Sequence, residues 1–158
     1  MRPQSLSSPF QPGPTVPHWL NRLVAGLLRS PFHALLSRTT MLLTFTGQKS
    51  GCRYTIPVRY LRTNEMLLTL TDSPWWRNLR AGAPVDLSIA GQNVRGRAEV
   101  NTDPDDVEQA IRSMLRQAPS DARFYQVHLD QHGQPDMASV KQAVQVHVLI
   151  EIQLEHPA

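Results

Sequence analysis

The sequence predicts an α+β fold: about six short, mostly antiparallel strands closing into a barrel-like sheet, with helices at its periphery. Two observations carry that expectation. The middle of the chain holds short runs rich in β-branched, leucine and aromatic residues. Most are joined by short turns, which argue for antiparallel pairing and barrel-like closure.

The expected strands are Met41–Thr46, Tyr54–Leu61, Glu65–Thr71, Val85–Ile89, Val94–Val100 and Val146–Leu154. The first two flank Gly47-Gln48-Lys49-Ser50-Gly51, and Thr63-Asn64 reads as a tight hairpin before the third. Val85, Leu87 and Ile89 alternate with Asp86 and Ser88, and Gly91-Gln92 turns the chain into the next strand, whose outer face carries Arg95, Arg97 and Glu99. In the last strand Val146, Val148, Ile150 and Ile152 alternate with His147, Glu151 and Gln153, which places His147 outside.

Three helical inserts interrupt the sheet. Ser73-Pro74 starts a short helix over Trp75–Arg80. Asp103-Pro104-Asp105-Asp106 is an acidic helix start, followed by one apolar face of Val107, Ala110, Ile111, Met114 and Leu115. Asp136 caps a third helix over Met137–Val144, and Asp130-Gln131-His132-Gly133 is a turn. Upstream, residues 1–17 form a Pro- and Ser-rich leader with little to bury, ahead of a single domain over 18–158. Leu20, Leu23, Val24, Leu27 and Leu28 recur at helical spacing, and Ser30-Pro31 breaks that helix before a second over Pro31–Ser37.

Composition narrows the function. With 158 residues and one cysteine, Cys52, the chain has a core but no internal disulfide and no multi-cysteine zinc site. The apolar stretches near the start fall short of the roughly 20 residues that span a bilayer, and five prolines in the first 17 residues deny a signal sequence its apolar core. The expectation is a cytoplasmic protein without stable membrane insertion. A net charge of +3 is too small to imply nucleic-acid binding. The charge is concentrated, however: Lys49, Arg53, Arg59, Arg62, Arg77 and Arg80 face only Glu65 and Asp72 within residues 49–80. Arginine forks suit phosphate and carboxylate oxygens, so this segment reads either as a solvated basic face or as an anion pocket.

No dinucleotide fingerprint, Walker loop, HExxH or GxSxG sequence is present. Cys52 has no assigned base. His128 and His132 are four apart but lack a third ligand in register, so no metal is expected. The segment that stands out is Thr46–Pro57, where Gly47 and Gly51 flank Lys49 and Ser50, with Arg53 and Thr55 following: backbone donors, cations and hydroxyls together, as an oxyanion cradle needs. The second is Ser73-Pro74-Trp75-Trp76-Arg77-Asn78-Leu79, a helix start beside two indoles, of which at least one belongs in the core.

Gly47-Gln-Lys-Ser-Gly51, then Arg-Tyr-Thr-Ile-Pro57, a hairpin, Trp75-Trp-Arg-Asn-Leu79 and Ala83-Pro84 together resemble the deazaflavin-dependent nitroreductase and quinone reductase family. The resemblance implies a split β-barrel similar to the flavin-binding barrels, a homodimer, and hydride transfer from reduced 8-hydroxy-5-deazaflavin (coenzyme F-420) to a quinone, nitro or other electron-poor small-molecule acceptor. On the matching positions it implies cofactor contacts from Lys49, Ser50, Gly51, Arg53, Thr55, Pro57, Arg59, Ser73, Trp75, Trp76 and Asn78, and Tyr125 lies in the region of substrate-side tyrosines. Gln48 replaces a usual basic residue, Tyr54 a common arginine, and only Asp72-Ser73-Pro74 stands where the family carries a longer loop. That shortening keeps two alternatives open: an FMN-dependent reductase on the same barrel, and a non-catalytic carrier of a flavin or another anion.

Overall fold

The computed structural model describes residues 39–155 apart from Glu65. The expected leader and the two helices before residue 38 lie outside the described residues. Among the described residues seven strands form one antiparallel sheet: β1 (Thr40–Thr46), β2 (Arg53–Arg59), β3 (Leu61–Thr63), β4 (Met66–Thr71), β5 (Ala83–Ile89), β6 (Gln92–Asn101) and β7 (Val148–Leu154). Their order across the sheet is β2-β1-β5-β6-β7-β4-β3, so β2 and β3, consecutive in the chain, end up on opposite edges. The sheet curls until β2 comes against β4, and the chain steps across at buried Tyr60, whose N–H donates to the Thr39 carbonyl at 3.0 Å. The single strand expected over Tyr54–Leu61 is therefore two strands, divided where the curled sheet passes from one edge to the other. The hairpin that follows pairs Thr63 with Met66, and Asn64 in its turn has a φ of 49°.

Alternation places Met41, Leu43, Phe45, Ile56, Leu67, Val85, Leu87, Ala98, Ile150 and Ile152 inside the curl. A 3-10 helix (Pro74–Leu79) plugs this core with Trp75 and Leu79, and the Trp75 ring stacks on Phe45 with centroids 5.6 Å apart.

On the outside of β4 and β7, α1 (Pro104–Gln117), a second 3-10 helix (Pro119–Phe124) and α2 (Met137–Val146) form another core around Leu70, Ile111, Met114, Val140 and Leu149. The start of α1 behaves as its acidic sequence demands, Asp103 accepting from the N–H groups of Asp105 and Asp106. Asp136 caps α2 in the same way, and the Ser139 N–H bond holds its carboxyl below the usual range.

The boundary between α2 and β7 corrects the expectation. Val146 is the last residue of α2, with its side chain exposed, and His147 is buried where a solvent-facing strand residue was expected. The His147 backbone N–H donates to the Ala143 carbonyl at 3.0 Å, and ring Nδ1 meets the same oxygen at 2.9 Å. Because a carbonyl only accepts, Nδ1 carries the proton. The ring also sits edge-on to Tyr125 at 5.7 Å, so the helix extends to bury a histidine that period-two reading sends outward.

Candidate functional site

The site is built where the β1–β2 turn meets the first 3-10 helix. Residues 47–52 fold back on themselves: the Gly47 N–H donates to the Cys52 carbonyl and the Gly51 N–H to the Gly47 carbonyl, each at 2.8 Å. Two glycines are demanded for different reasons. A Cβ on Gly47 would lie 2.6 Å from the Ser50 hydroxyl oxygen and 2.7 Å from the Tyr54 ring, whereas Gly51 has open space but a φ of 66°. The Ser50 hydroxyl accepts from the Cys52 N–H at 3.2 Å and shares a hydrogen bond with the Tyr54 hydroxyl at 3.0 Å, so it shapes the turn.

One side chain joins the two segments. Asn78 accepts the Gln48 N–H on its Oδ1 at 3.0 Å and donates from Nδ2 to the Trp75 carbonyl at 3.0 Å. Both ends of the amide are used, which makes Asn78 a strut between turn and helix. This leaves the N–H groups of Lys49 and Ser50 at the tip without a hydrogen-bond partner among the described residues, beside an exposed Lys49 that makes no ion pair with any of them. Across the strut, the half-buried Trp76 ring carries the guanidiniums of Arg77 at 4.8 Å and Arg80 at 5.0 Å from its centroid. A hollow of about 530 Å³ opens beside it, lined by Arg80, Ala81, Gly82, Glu99 and Thr102.

The donor set fits a phosphate: two unpaired amides, one free ammonium and a turn held open by glycine. Arg53 stands next to it but is engaged, bonding through Nη2 to Asp86, which also meets Arg95 at 3.6 Å. An aromatic ligand at Trp76 would compete with the two guanidiniums for the indole surface.

The remaining expected residues are not all part of this constellation. Thr55 shares a hydrogen bond with Thr44 at 2.8 Å, and Pro57 lies opposite Leu42, both on the outer face of the sheet leading away from the turn. Arg59, about 20 Å farther along β2 at the usual strand rise, binds the hydroxyls of Thr39 and Thr40 and pairs with buried Asp121 at 3.0 Å. Its charge is spent inside the fold. Arg62 is exposed on β3, at the other edge of the sheet. The Ser73 N–H is taken by the Thr71 hydroxyl at 3.1 Å.

Two assignments are corrected. Trp75 is 2% exposed and stacked in the barrel core, so its ring is closed to a ligand; Trp76 is the indole that reaches the surface. Tyr125, the substrate-side candidate, is buried in the other core with its hydroxyl on the Met114 sulfur at 3.0 Å. Burial, reinforced by Asp121 and opposed by Arg59, pushes its phenol above the ordinary range and keeps it protonated. Residues missed in the sequence are Tyr54, which braces the turn, and Asp86, which holds Arg53; the alternation of Arg53 with Tyr54 on β2 is the signal that separates their faces. Of the two histidines, His128 lines a separate groove between the second 3-10 helix and α2, and His132 sits in the turn; among the described residues no three potential ligands cluster for a metal. No described helix is long and apolar enough to cross a membrane.

The fold matches solved structures. A Listeria innocua protein provisionally assigned as a pyridoxamine 5'-phosphate oxidase aligns over 87% of this chain and 94% of its own, with 14% identity and a TM-score of 0.51.

The fold is a split β-barrel.

A Bacteroides thetaiotaomicron protein provisionally assigned to 5-nitroimidazole antibiotic resistance shares it, at 14% identity and a TM-score of 0.53 over 86% of this chain and 80% of that one. So does the haem storage protein HutZ of Vibrio cholerae, at 15% identity and 0.53 over 77% and 84%. At such identities the likeness is one of fold. No family model and no curated protein matches the sequence.

Proposed function

We propose that the chain is a split-barrel oxidoreductase that binds the phosphate of reduced coenzyme F-420 at the 47–53 turn, where the cofactor passes its hydride to a quinone, nitro or other electron-poor acceptor and is left oxidised. The observation that carries the reading is the Asn78 strut. It fixes the anion-suited turn to the helix bearing Trp76, Arg77 and Arg80, so that phosphate donors and an aromatic, cationic shelf form one rigid unit.

When bound, the cofactor would supply the hydride chemistry, and the protein the binding and orientation. Lys49 and the amides of Lys49 and Ser50 would hold the phosphate, each charge-assisted contact being worth about 1.5–3 kcal/mol. Gly47 and Gly51 keep the turn in the shape that presents them. Trp76 would border the ring. Sulfur and hydroxyl groups nearby are occupied in shaping the turn, the Cys52 thiol donating to the Ser50 carbonyl at 3.7 Å.

FMN fits the same phosphate donors, and the short Asp72-Ser73-Pro74 connection favours it as the second reading. A second copy of the chain is the expected partner. On the outer faces of β1 and β2, Leu42, Thr44 and Pro57 are half-exposed, and among the described residues no helix is packed over them as α1 and α2 are over β4 and β7.

Visible absorbance of the purified protein with coenzyme F-420, FMN and haem in turn tests the reading, followed by oxidation of the reduced deazaflavin with menadione or a nitroaromatic. Turnover above that of the cofactor alone supports the oxidoreductase; tight binding without turnover leaves a carrier. Binding of none of the three overturns both.

A further inference from the structure

We propose that Asp86 is a latch on Arg53: it holds the guanidinium away from the phosphate turn, and Arg95 takes over its carboxylate when an anion draws Arg53 across. This rests on the anion reading of the 47–53 turn and adds what sets its affinity.

The register makes the arrangement unexpected. Asp86 of β5 lies opposite Arg95 of β6 on one side and opposite Thr44 of β1 on the other. Arg53 is one strand farther away, opposite Thr46, and must cross β1 on the outer face to reach Asp86. Arg95, the direct cross-strand neighbour, has the easier geometry, yet its contact is the looser, Nε to Oδ1 at 3.6 Å, while Arg53 holds Oδ2. One carboxylate thus has a distant partner that hydrogen-bonds to it and a near one in ion-pair contact only.

Three features suit exchange. All three side chains are solvated, at 65% for Arg53, 47% for Asp86 and 79% for Arg95, so neither pair is strong. A phosphate offers Arg53 a two-pronged anionic alternative. Two hollows of about 390 and 370 Å³ share Thr44, Arg53, Asp86 and Arg95 in their walls, which leaves the guanidinium room to swing. When it does, Asp86 keeps a cation, because Arg95 closes on it. The neighbouring Arg97 does not compete: it pairs with Glu155 at 3.5 Å and donates to the Gly82 carbonyl.

The test is calorimetric titration of inorganic pyrophosphate and of FMN into wild type, Asp86→Asn, Arg95→Gln, Arg97→Gln, Arg53→Ala and the Asp86→Asn/Arg53→Ala pair. Asp86→Asn is expected to tighten binding about two- to fivefold, the range that an exposed ion pair commands. Arg95→Gln should weaken it about twofold by removing the stand-in, whereas Arg97→Gln, which removes the same charge from the same strand, leaves it unchanged. The Asp86→Asn gain should vanish without Arg53. Nitrogen-15 spectra of the wild type should show the Arg53 and Arg95 Nε signals shifting together on adding pyrophosphate, with Arg97 still. A wild type that binds while Asp86→Asn gains nothing, or a gain that survives Arg53→Ala, overturns the latch and leaves the turn as an anion site. No binding by any variant overturns both.

Discussion

β2 ends in an arginine on each side, and the regions around them are built on opposite terms. At the end near Tyr60, Arg59 is wrapped: two threonine hydroxyls, the buried Asp121 carboxylate and the Phe124 ring take up its donors and its face. At the turn, Arg53 is mostly in water and held by one exposed carboxylate. The same residue type on the same face of the same strand is a structural rivet at one end and an available cation at the other. A run of basic residues in a sequence therefore counts charges without saying which are spent, and partners from distant segments decide that. Trp75 and Trp76 repeat the contrast within one turn of helix, one ring in the core and the other at the surface under two guanidiniums.

The largest expected effect lies on the structural side. Trp75→Ala removes a stacked, fully enclosed indole and should cost about 3–5 kcal/mol, whereas Trp76→Ala should cost under about 1 kcal/mol. Denaturant melts of the two variants decide it, and equal losses would erase the division between core and site. Next comes Arg59→Ala, which leaves Asp121 buried without its cation; about 3 kcal/mol is expected, against about 0.5 kcal/mol or less for Arg53→Ala at an exposed pair.

What the sequence made legible follows period and punctuation. The strand positions, the Asp103 and Asp136 caps and the Asp130–Gly133 turn are local features, and local rules found them. The division at Tyr60 was hidden because Tyr54–Leu61 is one run rich in β-branched and aromatic residues with no turn signal at Tyr60; only the curl of the sheet sends its halves to opposite edges. Val146-His147-Val148 satisfies strand alternation, but Val140, Ala143 and His147 equally satisfy helical spacing, and burial against Tyr125 favours the helix. In the site, the glycine turn and the tryptophan helix were each visible as motifs. Their junction through Asn78 spans 30 residues of sequence and has no local signature.

A smaller effect is expected at that junction. Asn78→Ala breaks the bond to the Gln48 N–H and should lower phosphate affinity about three- to tenfold while costing roughly 1 kcal/mol of stability. Hydrogen exchange at the Gln48 amide reports the strut directly. Smaller still is an alkaline effect. The Tyr125 phenol titrates above its ordinary value in the folded chain, so the stability it contributes is complete below about pH 10, the unfolded value, and is lost as pH rises beyond it. Urea melts between pH 8 and 11 should fall more steeply for wild type than for Tyr125→Phe.

In the proposed function the turn, and not the arginine at the far end of β2, holds the anion. Equilibrium titration of coenzyme F-420 and FMN into wild type, Lys49→Ala/Arg53→Ala and Arg59→Lys tests it most directly. Loss of two charge-assisted contacts should weaken the double variant at least about tenfold with its melting unchanged, while Arg59→Lys binds as wild type does. Equal affinity in wild type and the double variant would contradict the claim and remove the turn from the site.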